Sequence, residues 1–328
     1  MINSKYRKLI VLLIVLTIIL AACRPEQRPE IEGQDEQPAE MPAIPEEISQ
    51  GEGQEPMLNV YIAETGEIRE MAFEEYLNGV LAAEMNNDFP LEALKAQAIL
   101  ARTYAMGFIA DGKSKHEGAH ISTDIEEAQA WKEEEVNERI EQAVQESRGM
   151  VAVYDNQYIN AWFHAHAGGQ TATAQEGLDY DEEEPPYVHV VESPDSPEAP
   201  EEDANWTETF SKDEIIAAVQ ELGEEVGDFS TIEVIETGPS GRATMIQIGE
   251  AEVSAPGFRI AIGSTRMKST FIENVAVEGD QVSISGTGYG HGVGMSQWGA
   301  YQLAEEGSVG EEIVKHYFKD INVVQLWE

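Results

Sequence analysis

The sequence predicts an α+β fold, and three observations lead to that class. Apolar residues recur at helical spacing in several segments, among them residues 90–110. Other segments, such as 243–248 and 281–286, alternate apolar and polar residues in the manner of half-buried strands. Nothing indicates a Rossmann or barrel order of these segments. We therefore expect mixed helices and largely antiparallel strands in one domain.

Residues typical of helix ends and turns predict the bounds of the individual helices and strands. Pro90 suits the first turn of the helix over 90–110, and Gly149 closes a helix expected over 126–147. Ser211 is expected to cap a helix over 213–222, with Glu214 completing a capping box. The other expected elements are strands over 58–63, 231–237, 243–248, 271–278 and 281–286, a hairpin of 150–154 and 158–163, and helices over 73–85, 297–305 and 310–317.

The first residues have the pattern of a bacterial lipoprotein signal. Basic residues precede an apolar run over 9–22, which is short for a membrane span and ends in a lipobox-like stretch before Cys23. We expect a signal peptide over 1–22, lipidation of Cys23, and a location at the outer face of the cytoplasmic membrane. A plain signal anchor with an incidental cysteine is the alternative.

The segment that follows Cys23 is rich in Glu, Gln and Pro and poor in large apolar residues. Such a composition cannot bury enough surface to fold, so a disordered acidic linker is expected over 23–56. The folded domain is then expected over 57–328, with surface loops at 182–186 and 193–203.

Charge and cysteine content exclude several classes of protein. The chain has 20 basic and 62 acidic residues, a formal net charge of −42, which repels nucleic acids and anionic lipid headgroups. Its single cysteine, Cys23, excludes an intramolecular disulfide and a multi-cysteine metal site.

Glu84 is the first candidate for chemistry. It continues the apolar stripe of Leu77, Val80 and Leu81 by helical spacing. A carboxyl on such a face should have a raised pKa, which suits a general acid. The alternative is that Glu84 pairs with a buried cation.

The next helix supplies polar candidates. Lys95 and Arg102 share one face of it, and Gln97 and Tyr104 lie close by. Two interpretations stay open for the cations: a salt-bridged core helix, or a clamp around Glu84 and a polar substrate.

Three long motifs in order carry a resemblance to a known family. The first comprises residues 76–85, 89–98 and 101–105, the second residues 163–171, and the third residues 286–300. Phe258-Arg259 and residues 268–271 fit the same pattern. Over about 57–320 the chain resembles the SpoIID/LytB family.

This resemblance implies a function in the bacterial cell wall. Similar family members are lytic transglycosylases that act in sporulation on peptidoglycan strands without stem peptides, and the glutamate matching Glu84 is their catalytic residue. Other members are enhancers of N-acetylmuramoyl-L-alanine amidases. A glycan-binding enhancer of such an amidase is therefore the alternative, and a scaffold in a sporulation or division complex is a third.

Further residues are assigned to substrate contact under the enzymatic interpretation. Lys95, Gln97, Arg102 and Tyr104 would hold the saccharide, and His164, His291, Ser296 and Gln297 in the two later motifs would touch it. A tight structural turn around His291 is the alternative for the glycine-rich motif. Tyr289 and Trp298 could stack on sugar rings or pack in the core.

The resemblance also raises the question of a metal. Some sporulation members bind zinc with a histidine and two cysteines; here His116 matches the histidine, but Ser122 and Ala128 occupy the cysteine positions. Without thiolates we expect no such zinc site and no cofactor. A weak site at His116 and His120, or at His164 and His166, is the alternative.

Overall fold

A computed structural model describes residues 41–328, and these residues pack around two hydrophobic cores. The predicted signal peptide, Cys23 and the linker as far as residue 40 lie outside the described residues. Within the described range, no helix is long and apolar enough to cross a membrane.

The helices described are α1 (Phe73–Glu84), α2 (Leu91–Ala110), α3 (Glu138–Glu146), α4 (Ala174–Leu178), α5 (Glu201–Ala204), α6 (Lys212–Glu221), α7 (Ala255–Ala261), α8 (Gln297–Glu305) and α9 (Gly310–Tyr317), with a 3₁₀ turn at Glu133–Glu135. The strands described are β1 (Met57–Ile62), β2 (Glu67–Ala72), β3 (Ile121–Ser122), β4 (Met150–Tyr154), β5 (Gln157–Tyr158), β6 (Phe163–His164), β7 (Asn205–Ser211), β8 (Ile232–Thr237), β9 (Ala243–Ile248), β10 (Ala251–Ser254), β11 (Ile272–Glu278), β12 (Gln281–Thr287), β13 (Met295–Ser296) and β14 (Asn322–Gln325).

The larger core surrounds α2. This helix is buried on nearly all sides because its many alanines let α1, α3, α8 and α9 approach closely. The sheets β2-β1-β3 and β14-β4-β5 contribute the strand side of the same core. The α1 helix is thereby held with its carboxyl end, which carries Glu84, at the edge of this core.

The smaller core lies between the sheets β11-β12-β7 and β10-β9-β8 and the helices α6 and α7. Its buried aromatic side chains are Trp206, Phe210, Phe229 and Phe258. Ser211 caps α6 through a capping box with Glu214, as predicted.

The predicted fold class is confirmed. Strand pairs are antiparallel throughout the described residues except β1 with β3 and β6 with β13. The β6–β13 pair aligns Phe163 with Met295 and His164 with Ser296, so it joins the second sequence motif to the third.

Two predicted elements differ from the structure. The helix expected over 126–147 begins only at Glu138, where the Asn137 side chain accepts hydrogen bonds from the first turn; residues before it form turns and loop. The second hairpin strand is limited to Gln157–Tyr158, because Phe163 and His164 pair with β13 instead.

Part of the predicted linker is folded. Ile48 is fully buried in the larger core, and its carbonyl accepts a hydrogen bond of 3.3 Å from the Met57 amide. The Glu55 carboxylate accepts from the Glu74 amide at 2.8 Å. The folded part of the chain therefore begins before Met57.

Candidate active site

Glu84 ends α1, one turn beyond the fully buried Val80 and Leu81 and two turns beyond the fully buried Leu77. Its half-buried carboxyl accepts a hydrogen bond of 2.9 Å at Oε1 from the Ala130 amide. Burial raises the pKa of Glu84, and the Ala130 hydrogen bond opposes that shift in part. No donor among residues 41–328 meets Oε2. The site thus presents one anchored and one unpartnered carboxyl oxygen, in agreement with the pKa shift expected from the apolar stripe.

The Ala130 amide is positioned by contacts of the next two residues with α1. Trp131 Nε1 donates to the Tyr76 carbonyl at 3.1 Å, and the Lys132 amide donates to the Gly79 carbonyl at 3.0 Å. The indole lies flat enough on α1 that a Cβ at Gly79 would come within 2.1 Å of Trp131 Nε1. Only glycine at position 79 allows this approach.

Glu127 anchors the same loop from its other end. Its nearly buried carboxylate accepts from the Lys115 amide at 2.6 Å and lies 3.0 Å from His116 Nε2. The His116 ring is stacked on Tyr61 with a centroid distance of 3.5 Å. Glu127 was not singled out in the sequence, where it is one of many acidic residues.

The other residues at or near the expected zinc-ligand positions make hydrogen bonds within the protein or have no ligand atom. Ser122 Oγ accepts from the Asp124 amide at 2.9 Å, and His120 Nδ1 accepts from the Asn59 amide at 2.9 Å. Between residues 41 and 328 no group of three or more His, Cys, Asp or Glu side chains is arranged to hold a metal ion. The position of the second cysteine is occupied by Ala128, whose side chain has no ligand atom.

Gln297 and Gln97 meet at the backbone of Glu84. Gln297 Nε2 donates to the Glu84 carbonyl at 2.7 Å and lies 3.5 Å from Gln97 Oε1. Gln97 is fully buried, and its Nε2 has no partner in the described part of the chain. The first and third sequence motifs are therefore joined at this site, with a buried amide donor still unused.

Tyr104 is near the carboxylates of both Glu84 and Glu127. Burial raises the pKa of Tyr104, and the negative charges of the two glutamates raise it further, so its phenol stays neutral. Together with Tyr158 and Trp162 it lines a cavity of about 270 Å³. Of the predicted site residues, Gln97, Tyr104 and Gln297 thus lie around Glu84.

Arg102 is not in this group. It is fully buried, and its Nε and Nη2 donate to the two oxygens of Glu74 at 3.1 and 2.7 Å. Glu74 precedes Glu84 by ten residues, about 15 Å along α1. Lys95 pairs with Glu92 at 2.8 Å and Glu146 at 3.4 Å. These contacts correct the prediction of a cationic clamp: both residues belong to a salt-bridged core helix.

Ser296 is also used inside the protein. It is fully buried, and its Oγ donates to Asp195 Oδ1 at 2.5 Å and accepts from the Gly299 amide at 3.2 Å, capping α8. This corrects its assignment to substrate contact. Trp298 packs against Phe89 at a ring distance of 4.6 Å, as in the core alternative.

Asp195 was missed because it lies in a segment expected to be a surface loop. Its nearly buried carboxylate instead accepts hydrogen bonds from the Ser193 and Ser296 hydroxyls and from the Ala167 and Gly169 amides. The short Ser-Pro-rich stretch around it carries no sequence signal that separates an ordered buried loop from a solvated one.

His164 and His291 lie together, with a ring distance of 5.7 Å. His164 Nδ1 is 3.1 Å from the Val293 carbonyl, and its buried Nε2 has no partner within the described range. Burial and the nearby Arg259 and Arg242 charges lower the pKa of His291 to about 3. Both rings are neutral near pH 7, and neither is a hydrogen-bond partner of Glu84 in the described part of the chain.

Comparison with known proteins supports the family suggested by the sequence. Residues 61–154 match the family model described as "Stage II sporulation protein", and residues 182–294 match a domain of unknown function. The first match covers the elements that position Glu84, and the second covers most of the smaller core.

Three relatives extend over most of the chain. An uncharacterized protein of Brachyspira hyodysenteriae is 32% identical over 78% of this chain and 68% of its own length. Stage II sporulation protein D of Bacillus amyloliquefaciens is 29% identical over 84% of this chain and 83% of its own. The amidase enhancer of Bacillus subtilis is 27% identical over 74% of this chain but 39% of its own. The chain belongs to the SpoIID/LytB family, and its role is related to the cell wall.

Proposed function

We propose that this protein is a lytic transglycosylase that cleaves peptidoglycan glycan strands, with Glu84 as its single acid and base. The observation that carries this proposal is the state of the Glu84 carboxyl. Burial raises its pKa, Ala130 fixes Oε1, and Oε2 has no donor in the described chain. These are the properties of a proton donor held in one orientation.

In this reaction, Glu84 first protonates the glycosidic oxygen that follows N-acetylmuramic acid. The bond from the anomeric carbon to that oxygen breaks, and an oxocarbenium-like centre develops on the sugar. The Glu84 carboxylate then takes the proton of the C6 hydroxyl of the same sugar, whose oxygen bonds to the anomeric carbon. The product is a 1,6-anhydro end. Because the nucleophile belongs to the substrate, one carboxyl is sufficient.

The groups around Glu84 suit a sugar ligand. Gln97 provides a buried amide donor without a protein partner, and Tyr104 provides a neutral phenol beside a cavity of about 270 Å³. Amides and phenols are typical partners of sugar hydroxyls and ring faces. We expect strands without stem peptides to be preferred, which agrees with the implication of the family resemblance.

The cellular setting belongs to the same proposal. The apolar run over 9–22 and Cys23 support a lipid anchor at the outer face of the cytoplasmic membrane, where peptidoglycan is accessible. The similarity to Stage II sporulation protein D supports a role in sporulation.

A second candidate function rests on the similarity to an amidase enhancer. Under this alternative the protein binds glycan and stimulates an N-acetylmuramoyl-L-alanine amidase without cleaving strands itself. It does not require the raised pKa of Glu84, which is why we place it second.

The test is mass spectrometry of peptidoglycan, both intact and amidase-stripped, after incubation with the purified protein. We expect 1,6-anhydro ends from stripped strands, and their loss in Glu84→Gln. Glu75→Gln is the matched control, since Glu75 is an exposed glutamate of the same helix. Reducing ends without the anhydro mass would indicate a hydrolase. No cleavage, with stimulation of an amidase intact in Glu84→Gln, would support the enhancer.

A further inference from the structure

Arg259 on α7 is a half-buried cation without an acidic partner. Its Nε donates to the Lys268 carbonyl at 3.0 Å and its Nη2 to the Ser264 carbonyl at 3.2 Å. No carboxylate among residues 41–328 lies within 4.0 Å of its guanidinium. Among the described residues, Lys115 and Arg139 also lack a carboxylate within 4.0 Å, but both are exposed, whereas Arg259 is half-buried. Two carbonyls fix the guanidinium plane and leave Nη1 free to donate.

Arg242 adds a second positive charge on the interior side. It is almost fully buried, and its Nη1 donates to Ser240 Oγ at 2.9 Å. The glycine-rich loop lies directly on it: a Cβ at Gly292 would come within 2.7 Å of the guanidinium carbon. Its charge is partly balanced by Glu176 and Asp195. Burial lowers the pKa of Arg259, and the Tyr289 phenol, not a carboxylate, opposes that shift.

His291 lies near both arginines. Burial, followed by the two guanidinium charges, lowers its pKa, and its ring donates a hydrogen bond to the Phe163 carbonyl. The neighbouring His164 is buried with Nε2 unpartnered among the described residues. Arg259, Arg242, His164 and His291 therefore form a polar cluster with net positive charge, which we call the arginine–histidine cluster.

The β6–β13 strand pair connects this cluster to the surroundings of Glu84. Trp162 lines the cavity beside Tyr104, and His164 follows it by two residues, about 7 Å of extended chain. In the adjacent strand, Ser296 pairs with His164, and the next residue, Gln297, reaches Glu84. Both strands of the β6–β13 pair thus lead from the surroundings of Glu84 into the arginine–histidine cluster.

We propose that Arg259 binds the free lactyl carboxylate of a muramic acid residue and thereby selects strands without stem peptides. This inference rests on the proposed function. In a strand without stem peptides the lactyl carboxylate is the repeating negative charge. When a stem peptide is attached, that carboxyl is an uncharged amide. A planar guanidinium with free donors is the group best matched to a carboxylate.

The test measures binding without cleavage, in the Glu84→Gln background. Two ligands are compared at about 0.15 M salt, which screens the long-range repulsion between the acidic protein and anionic strands. They are stem-free glycan strands, and the same strands with their muramic carboxyls converted to primary amides. We expect the free carboxylate to bind about tenfold tighter, the value of one charge-assisted contact. Adding Arg259→Gln should remove this preference and leave the affinity for the amidated strands unchanged.

Arg139→Gln is the matched control. Arg139 is exposed, lies on α3 and has no carboxylate within 4.0 Å among the described residues, so the variant removes the same charge elsewhere. It should keep the tenfold preference. A circular dichroism melt of each variant shows whether it is folded, and Arg259→Lys, which keeps the charge, should retain part of the preference.

Two results would overturn the inference: equal affinity for both ligands, or a preference that survives Arg259→Gln. Failure of the proposed function gives a different result. If the unaltered protein cleaves nothing yet prefers the free carboxylate through Arg259, the transglycosylase is rejected and the carboxylate site stands. Cleavage without any such preference rejects the carboxylate site alone.

Discussion

Ionisation of Glu84 links the chemistry of the site to the stability of the protein. Its pKa in the folded state lies above the ordinary value of 4.5, because burial disfavours the charged form. Folding therefore favours the protonated carboxyl. The stabilising contribution is fully present below about pH 4.5 and is lost as the pH rises through the folded-state pKa.

Replacing Glu84 by Gln tests this linkage. Glutamine keeps an oxygen for the Ala130 amide but cannot ionise, so the variant should be more stable than the unaltered protein at about pH 8. The gain should shrink toward about pH 5, as the carboxyl of the unaltered protein becomes protonated. Urea unfolding across this pH range measures the stability gain and its dependence on pH. We expect the gain of Glu75→Gln, if any, not to change with pH in this way. A variant that is less stable at high pH would contradict the raised pKa.

At the residue scale, the sequence predicted Glu84 and three of its neighbours, but not the Ala130 amide that binds its carboxyl, nor the acidic partner of Arg102. Spacing on α1 is a local property, so the apolar stripe and the position of Glu84 on it could be recognised directly. The acidic partner of Arg102 lies 28 residues away at Glu74, and nothing local distinguishes that glutamate from its neighbours. The ion pair therefore stayed one of two open alternatives.

The loop before α3 is the element that completes the site. It offers a backbone amide to Glu84, and that amide depends on Trp131 lying against α1 at Gly79. The prediction of a helix over 126–147 was wrong at this loop, because the helix begins only at Glu138. Its residues have adequate helical propensity, but Glu127 and Ala130 make tertiary contacts that a helix would not allow.

Gly79→Ala should displace this loop. The new methyl group would meet the indole at 2.1 Å, so Trp131 must move and its hydrogen bond to the Tyr76 carbonyl is lost. We expect a loss of strand cleavage on the order of a hundredfold, because a catalytic group is misplaced by about 1 Å. Stability should fall by about 1–3 kcal/mol.

Gly227→Ala is the control for this variant. Gly227 has an ordinary backbone conformation, and a Cβ added there would have no heavy atom within 4 Å. The variant should retain cleavage and change the stability by no more than about 0.5 kcal/mol. Equal activity of both variants would show that the position of Trp131 does not matter to the site.

At the scale of the whole molecule, Glu74 connects distant parts of the larger core. Its carboxylate accepts from Arg102 on α2, from the Gly149 amide before β4 at 3.0 Å, and from Trp327 Nε1 near the end of the chain at 3.0 Å. The Trp327 side chain is buried and packs against Phe73. One carboxylate thus joins four parts of the larger core.

Glu74→Gln should be strongly destabilising. It leaves the buried Arg102 charge without a counter-charge, which costs about 3–5 kcal/mol. Glu133→Gln breaks the Arg69–Glu133 pair, which is 41% and 58% exposed, and should cost no more than about 1 kcal/mol. Urea unfolding at pH 7 compares the two. A loss below 1 kcal/mol in Glu74→Gln would mean that the buried pair contributes little.

At this scale the α+β class was predicted, but the division into two cores was not. Periodicity shows which face of an element is buried, yet it does not show which elements share a core. Trp206 and Phe210 on β7 pack with Phe258 on α7, about fifty residues later, and neither β7 nor α7 was expected from local patterns. The two cores become evident only when strand pairing is known.

The hydrogen bond from Gln297 to the Glu84 carbonyl spans 213 residues of sequence. A nascent chain that has been synthesised only as far as α7 already contains Glu84, Ala130 and Arg259, but it lacks the amide that fixes the end of α1. Contacts this distant in sequence form late in folding, because the intervening chain must be ordered first. The order of synthesis thereby delays completion of the Glu84 site until almost all of the chain has been made, so truncated fragments should lack the strand cleavage that we propose.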